Sequence, residues 1–225
     1  MTTSYLILRL AGPMQAWGQP TFEGTRPTAR FPTRSGLLGL LGACLGIKRG
    51  DRTALQTLSE SVHFAIRCDK VQVDGKSLHV TGLRDYHTVQ DAREGYRGLK
   101  SHETIQTWRE YLCDATFTVA VWVSDTSGVT LSQLQEAVLR PRFTPFLGRK
   151  SCPLTQPLFV AVCEASGPHL ALANYQPQGG YIYSESPSGE YTRRFAVRDE
   201  PIISLPRQFA LREWYVIKGE SDVYQ

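Results

Sequence analysis

Tyr86, His87, Arg97, Lys100 and His102 lie together in one polar stretch of the chain, residues 81–110. Side chains of these types suffice for metal-free cleavage of a phosphodiester: a base to activate a 2′-hydroxyl, an acid for the leaving oxygen and cations for the phosphate. In such an enzyme His87 and His102 would move the protons and Lys100 would supply charge. The set is weakly specific, because histidine and lysine are also ordinary on RNA-contacting loops and on plain solvated ones. Binding is therefore the reading these residues favour, and metal-independent RNA cleavage is the alternative.

Other chemistries find little support. The chain contains no GxxxxGK[ST], GxGxxG, HExxH or GxSxG pattern, which removes the usual phosphate-loop, dinucleotide, zincin and hydrolase readings. Asp85, Asp91, Glu94 and Glu103 lack ligand spacing, so no metal and no cofactor are expected. The five cysteines form no CxxC pair and suggest neither zinc nor a disulfide framework. They read as free thiols, with Cys44 and Cys113 serving as small buried hydrophobes.

The elements that would position such residues begin with Phe31 to Ile47, FPTRSGLLGLLGACLGI. At 100° per residue Gly39, Gly42, Ala43 and Gly46 share one helix side, while Leu37, Leu40, Leu41, Cys44 and Leu45 cover much of the rest. An interior glycine costs about 1 kcal/mol relative to alanine, so Gly39, Gly42 and Gly46 predict that something packs closely on the small face. Thr33 or Ser35 can cap the helix. Arg26, Arg30 and Arg34 stand beside the same end, where the helix dipole favours a phosphate.

Upstream, Tyr5 to Leu10 reads as a buried strand, followed by a long loop containing Trp17. Downstream, Val62 to Arg67 alternates as a strand and Lys70 to Val80 as a hairpin around Asp74-Gly75. After the polar stretch, Ala115 to Val123 is a strong buried strand, Leu131 to Leu139 a short amphipathic helix capped by Thr130 or Ser132, and Leu158 to Val162 one more strand. The order is that of a βαββαβ ferredoxin-like fold with an insertion before its third strand. Beyond a proline-rich boundary at 141–157, short strands are expected at Tyr191 to Val197, Pro201 to Leu205 and Trp214 to Ile217.

Composition sets limits. The 225 residues are 41% hydrophobic and 20% charged, values of a globular chain with a real core. No segment is long and apolar enough to span a bilayer, and the N-terminus lacks a basic leader, so a cytoplasmic location is expected. The net charge of +4 is too mild to identify a nucleic-acid binder by itself. The arginines and lysines are grouped, however, and several groups are interleaved with aromatics such as Phe31, Tyr86, Phe143 and Phe146. That arrangement favours a surface that tracks a nucleic-acid backbone and stacks its bases.

Three separated motifs, PTRSGLLGLLGACLGI, RDYHTV with GYRGLKSHETIQTWREYL, and PFLGRKSCPL, resemble the fifth numbered family of CRISPR-associated proteins, in its type I-E Cascade branch. The likeness runs over essentially the whole chain. It implies an α+β protein: a ferredoxin-like (RRM-like) βαββαβ domain at 1–79 and 115–148, an inserted thumb hairpin at 80–114, and a small C-terminal β-rich domain at 149–225, with that last boundary within 141–165. It also implies a non-catalytic subunit that caps the 5′ handle of CRISPR RNA in an antiviral ribonucleoprotein complex, a separate subunit, CasE, cutting the precursor. Its neighbours would be the terminal CasC backbone copy and CasA, and target DNA would be reached through the complex. On this chain the expected RNA contacts are Arg26, Arg30, Arg34 and Ser35 at the helix turn, Tyr86, Arg97, Lys100, His102 and Arg109 on the thumb, and Trp17, Phe146 and Arg149 on the loops. Tyr181, Tyr183 and Trp214 are candidates for protein interfaces, with core burial the better reading for Trp214.

Overall fold

The structure, a computed structural model, describes residues 2–19, 21, 24–70, 72–73, 76–77, 80–90, 104–124, 128–176, 179–187, 191–205 and 208–217. Strand β1 (Thr3–Ala11) is buried on both faces, which a strand achieves only when layers cover both sides of its sheet. Its period of two sends Leu6, Leu8 and Leu10 into a large core and Tyr5 and Ile7 into a smaller one. The large core is closed by helices α1 (Arg34–Leu45), α2 (Arg52–Ser61) and α3 (Leu131–Leu139), through Leu37, Leu41, Leu58, Leu134 and Val138. The small core is closed by α4 (Pro168–Ala173), through Ala171 and Leu172.

The remaining strands are β2 (Val62–Cys68), β3 (Thr81–Val89), β4 (Ile105–Cys113), β5 (Thr116–Val123), β6 (Phe159–Ala165), β7 (Ile182–Ser184), β8 (Arg193–Pro201) and β9 (Phe209–Ile217). Seven strands form one sheet in the order β6-β1-β5-β2-β7-β9-β8, every neighbouring pair antiparallel. The sheet continues without a break from the first part of the chain into the last, since Tyr183 pairs with Ile66 of β2 on one side and Val216 of β9 on the other. Trp214 of β9 is fully buried in the same core as Leu6 and Leu37. Pairing of β6 with β1 ties the chain as far as Ala165 to the first strands, at the late end of the boundary expected from sequence.

Strands β3 and β4 form a separate antiparallel hairpin, in register from Cys113↔Thr81 to Ile105↔Val89. Its root is fixed by short pairings with Met14–Gln15 and Thr25–Arg26. Asp114, at φ 55, turns the chain from this hairpin back into β5. Residues 91–103, which include Arg97, Lys100 and His102, lie outside the described residues.

Local chemistry explains most boundaries. The Thr33 side chain accepts from Gly36 N–H at the start of α1, and Thr130 with Gln133 forms a capping box on α3. The sequence reading gives no helix at α2, because RTALQTLSES has few apolar residues; the helix is held by an Asp51 cap and one fully buried apolar side chain, Leu58. Pro201 to Leu205, expected as a strand, instead follows the end of β8 into a turn with a Leu205 N–H to Ile202 carbonyl bond.

The small face of α1 needs correction. Gly39 is exposed and a Cβ there would meet nothing within 4 Å, while one at Gly42 would make only ordinary contact with Leu58 and Leu55. Gly46 serves conformation, as a left-handed C-cap at φ 78. On the small face the close approach is confined to Gly46, where a Cβ would lie 2.6 Å from the Arg142 side chain, and a further one falls at Gly36, where a Cβ would lie 2.8 Å from the Trp17 ring. A tighter one occurs at Gly148, where φ is +84 and a Cβ would sit 1.8 Å from the Ala16 carbonyl oxygen. Gly39→Ala should therefore raise folding stability by about 0.5–1 kcal/mol, as expected at an exposed helix position. Gly148→Ala should lower stability by more than that. Denaturant unfolding of the two variants checks this, and equal losses at both sites would contradict it.

Candidate nucleic-acid interface

The start of α1 is the centre of the region expected to hold phosphate, and the structure gives it a different occupant. Arg34 N–H, the first of the helix, donates to Oδ2 of Asp199 on β8 at 2.9 Å. The free end of the helix dipole thus already faces a carboxylate of the same chain. Asp199 is itself buried, with 3% exposure, and its Oδ1 accepts from Arg212 Nε at 2.7 Å.

Arg34, an expected phosphate ligand, belongs to this cluster and not to the surface. Its side chain is 7% exposed, and Nη1 bonds both oxygens of Glu185 at 2.9 and 2.8 Å. Nη2 donates to the Ser59 carbonyl at 2.6 Å, and Nε lies 2.5 Å from Glu200. Arg212 closes the cluster by pairing with Glu185 at 3.0 Å and lying over the Trp214 ring at 3.9 Å. Burial pushes the Glu185 carboxyl up, but the His63 hydrogen bond and the Arg212 and Arg34 charges outweigh it and hold that carboxyl below its ordinary value.

The surface beside this cluster is a pair of adjoining clefts that share Gln19, Thr33 and Asp199. One, of about 260 Å³, lies over the first turn of α1 and is bordered by Ser35, Gly148, Arg198 and Phe209. The other, of about 390 Å³, is walled by Phe31, Tyr183 and Phe195 and rimmed by Arg30 and Arg193. Phe31 and Tyr183 stack at 4.2 Å, with Phe195 edge-on to both. Burial pushes the Tyr183 phenol up to about 12, so it is a neutral hydroxyl at physiological pH. Arg30, Arg193 and Arg198 are exposed and have no carboxylate within ion-pair distance among the described residues.

The hairpin supplies a second surface. Tyr86 and Trp108 sit opposite each other across the strands, 5.4 Å apart and both exposed, with the Arg84 guanidinium 5.9 Å from the Trp108 ring. The rings are tilted at 45° to each other, and exposed aromatic rings beside a cation are the side chains on which unpaired bases stack. His87 is held by Asp85 at 2.6 Å.

The other expected contacts divide. Trp17 is fully buried, its indole N–H donating to Gln15 Oε1 at 3.1 Å, so it is a core residue and offers no stacking face. Arg26 is exposed, but its carbonyl accepts from Arg149 at 3.0 Å. Arg149 also donates to the Glu110 carbonyl at 3.1 Å and covers Tyr111 at 4.7 Å, and so fastens the hairpin root. Ser35 faces the smaller cleft, Arg109 is half-buried and donates to Thr107, and Phe146 is half-buried in a bridge to Pro153. Sequence reasoning missed Trp108 and Asp199 and gave no site role to Arg193, Arg198 and Phe195. Trp108 carried a signal, since Thr107–Arg109–Tyr111 alternate with it on a strand pattern; Asp199 carried none, being remote in sequence from α1.

All five cysteines are free, and burial raises the Cys44 thiol to about 11. Among the described residues no group of His, Cys, Asp and Glu is placed to hold a metal ion, and no helix is long and apolar enough to cross a membrane.

Removing Arg34 would break its two-oxygen contact with the buried Glu185 and leave Arg212 as the one arginine on that carboxylate, so Arg34→Ala should cost about 3–5 kcal/mol of stability. Arg30→Ala should change stability by no more than about 0.5 kcal/mol, which chemical denaturation of both variants would check. Acid probes the same cluster. Because the folded Glu185 carboxyl titrates below its ordinary 4.5, its contribution is complete above that value and is lost as pH falls through the lower folded value. Glu185→Gln should flatten stability across the acid range, and a profile identical to the parent would refute this assignment.

Comparison with known proteins adds to this geometry. A family profile described as CRISPR-associated protein (Cas_Cas5) matches residues 5–216. The CRISPR system Cascade subunit CasD of Escherichia coli (strain K12) is 69% identical over 222 residues, covering 99% of each chain. A chain in a solved CRISPR RNA-guided surveillance complex aligns with TM-score 0.70 and 27% identity, over 96% of this chain and 90% of that one. A crystal structure described as a Cas protein aligns with TM-score 0.62 and 26% identity, over 95% and 94%.

Proposed function

Because the chain belongs to the Cas5 family of CRISPR-associated proteins, we propose that it is a non-catalytic Cascade subunit that binds and caps the 5′ handle of CRISPR RNA. The observation that carries this reading is the near-complete, 69% identical match to a Cascade subunit. In this role the protein helps assemble the complex for RNA-guided recognition of DNA, with the terminal CasC copy and CasA as neighbours. A ferredoxin-like core at 1–79 and 115–148 is supported by the element order β1, α1, β2, β5, α3, β6 and by the sheet order β6-β1-β5-β2. The hairpin of β3 and β4 fits the inserted thumb at 80–114, and β7, β8 and β9 fit a β-rich C-terminal part within 149–225 that is fused to the same sheet.

The mechanism is readout by charge, stacking and shape. Arg30, Arg193 and Arg198 take phosphates along the cleft rims, and Arg84 does so on the hairpin. Tyr86 and Trp108 stack unpaired bases. Phosphate contacts set the RNA's position while base contacts give preference for the handle. Cutting the RNA would require a proton-transfer pair; His87, paired with Asp85 at 2.6 Å, is one candidate member, and His102 lies outside the described residues.

Incubation of the purified full chain with labelled CRISPR repeat RNA in EDTA, scoring binding and cleavage together, tests this reading. Retained, uncut RNA with handle preference is the expected result. Site-specific cutting that disappears in His87→Ala or His102→Ala would make the chain a processing endoribonuclease instead. A salt titration adds a second check: neutralising Arg30 or Arg193 should weaken binding and lower the salt slope by about one unit. An unchanged slope in both would remove those arginines from the RNA surface.

A further inference from the structure

The edge of β4 that faces away from β3 is covered in two pieces. Met14–Gln15 pairs antiparallel with Leu112–Cys113, and Thr25–Arg26 pairs parallel with Trp108–Arg109. Glu110 and Tyr111 fall between the two, without a strand partner on that edge among the described residues. Thr28 N–H meets Glu110 from that side at 3.4 Å, but at its carboxylate and not its main chain. A hairpin pivots where its root lacks ladder bonds, because those bonds hold the angle between neighbouring strands.

Arg149 fills this gap. Its Nη1 donates to the Glu110 carbonyl at 3.1 Å and its Nη2 to the Arg26 carbonyl at 3.0 Å, with the guanidinium 4.7 Å from the Tyr111 ring. A planar fork thus gives Glu110 the donor that a continuous neighbouring strand would give, and ties it to the segment leading into α1. The base of the fork is rigid. Leu147 and Cys152 are fully buried, and Leu147 N–H to the Cys152 carbonyl and Cys152 N–H to the Arg149 carbonyl close the turn, each at 2.8 Å. Ala16 N–H donates to the Leu147 carbonyl at 3.1 Å, and the Ala16 carbonyl lies so close to Gly148 that the turn has no room to slide. The strand's period of two puts Tyr111, and Arg149 above it, on the face opposite Trp108. Arg149 therefore stands away from bases stacked on Trp108 and acts on them through the strand.

Resting on the RNA-binding reading above, we propose that Arg149 is a positioning residue for RNA: by bridging Glu110 and Arg26 it sets the angle of the β3–β4 hairpin against the body, without itself neutralising a phosphate. That angle aligns Arg84, Tyr86 and Trp108 with the arginines of the cleft rims along a single strand. The brace orders the hairpin before RNA arrives, so the cost of ordering it does not fall on binding. Lysine is a poor substitute, because its ammonium keeps the charge but lacks the planar pair of donors that spans two carbonyls.

The test compares the full chain with its Arg149→Ala and Arg149→Lys variants in handle-RNA binding across a salt series and in amide hydrogen exchange. Both variants should bind about tenfold more weakly, the size of one misplaced base stack, with the parental salt slope. In the free variants the amides of β4 should exchange faster while those of β1 and β5 stay as in the parent, and bound RNA should restore the protection. Parental affinity in Arg149→Ala, or unchanged exchange in β4, would overturn the proposal. Faster exchange throughout, β1 and β5 included, would make Arg149 a residue of general stability and overturn it equally. A salt slope lowered by about one unit in Arg149→Ala, with binding recovered in Arg149→Lys, would make it a phosphate ligand instead. No salt-dependent handle binding by the parent would sink the RNA-binding reading and the role in it, while exchange in β4 would still report whether the brace holds.

Discussion

The buried ionic cluster of Arg34, Glu185, Asp199, Glu200 and Arg212 is the constraint around which the rest is arranged. It draws on the first turn of α1, the segment after β7, the end of β8 and the middle of β9, which are far apart in sequence. Charges this deeply buried are tolerated only when each is paired and hydrogen-bonded, so the elements that carry them must meet in one geometry. Apolar packing alone would permit the last three strands to slide on the helix. The cluster fixes where β8 lies against α1, and that placement creates the two clefts.

Its electrostatic consequence reaches the surface. By sending Asp199 to the start of α1, the fold answers the helix dipole internally and frees the neighbouring arginines. Arg30, Arg193 and Arg198 are left exposed at the rims, among aromatic side chains held edge-on and stacked by the same packing. The hairpin presents a like combination, Arg84 with Tyr86 and Trp108, on a separate small sheet. Arg149 joins the two regions by bonding main-chain carbonyls at both Arg26 and Glu110. A surface of paired cations and rings on a rigid frame suits a flexible single strand that must be held in one shape.

Much of the fold was legible in the sequence, because it rests on local signals. From Tyr5 and Phe117 onward, β1 and β5 show apolar runs broken only by Arg9 and Thr118, α3 carries its Thr130 cap, and the glycine-rich helix stands out by composition. Helix α2 was hidden because one buried leucine and a cap suffice to hold it once the core exists. The site was less legible for a related reason. Arg34 looks in sequence like Arg30, and only the arrival of Glu185 and Glu200 from more than a hundred residues away makes one structural and leaves the other free. Trp17 likewise sits in a polar loop sequence but is buried by Gly36, whose missing side chain leaves room for the indole. Long-range pairing decides which charges and rings are surface, and a single sequence carries little trace of it.

Hydroxyl-radical footprinting of the full chain, with and without handle RNA, tests the central claim most directly, because the rings that define the clefts and hairpin oxidise readily. The account predicts protection of Tyr183 and Phe195 in the cleft and of Tyr86 and Trp108 on the hairpin, with the buried Trp17 and Trp214 silent in both states. Protection confined to the face formed by α2 and α3, with Tyr183 and Phe195 unchanged, would contradict it.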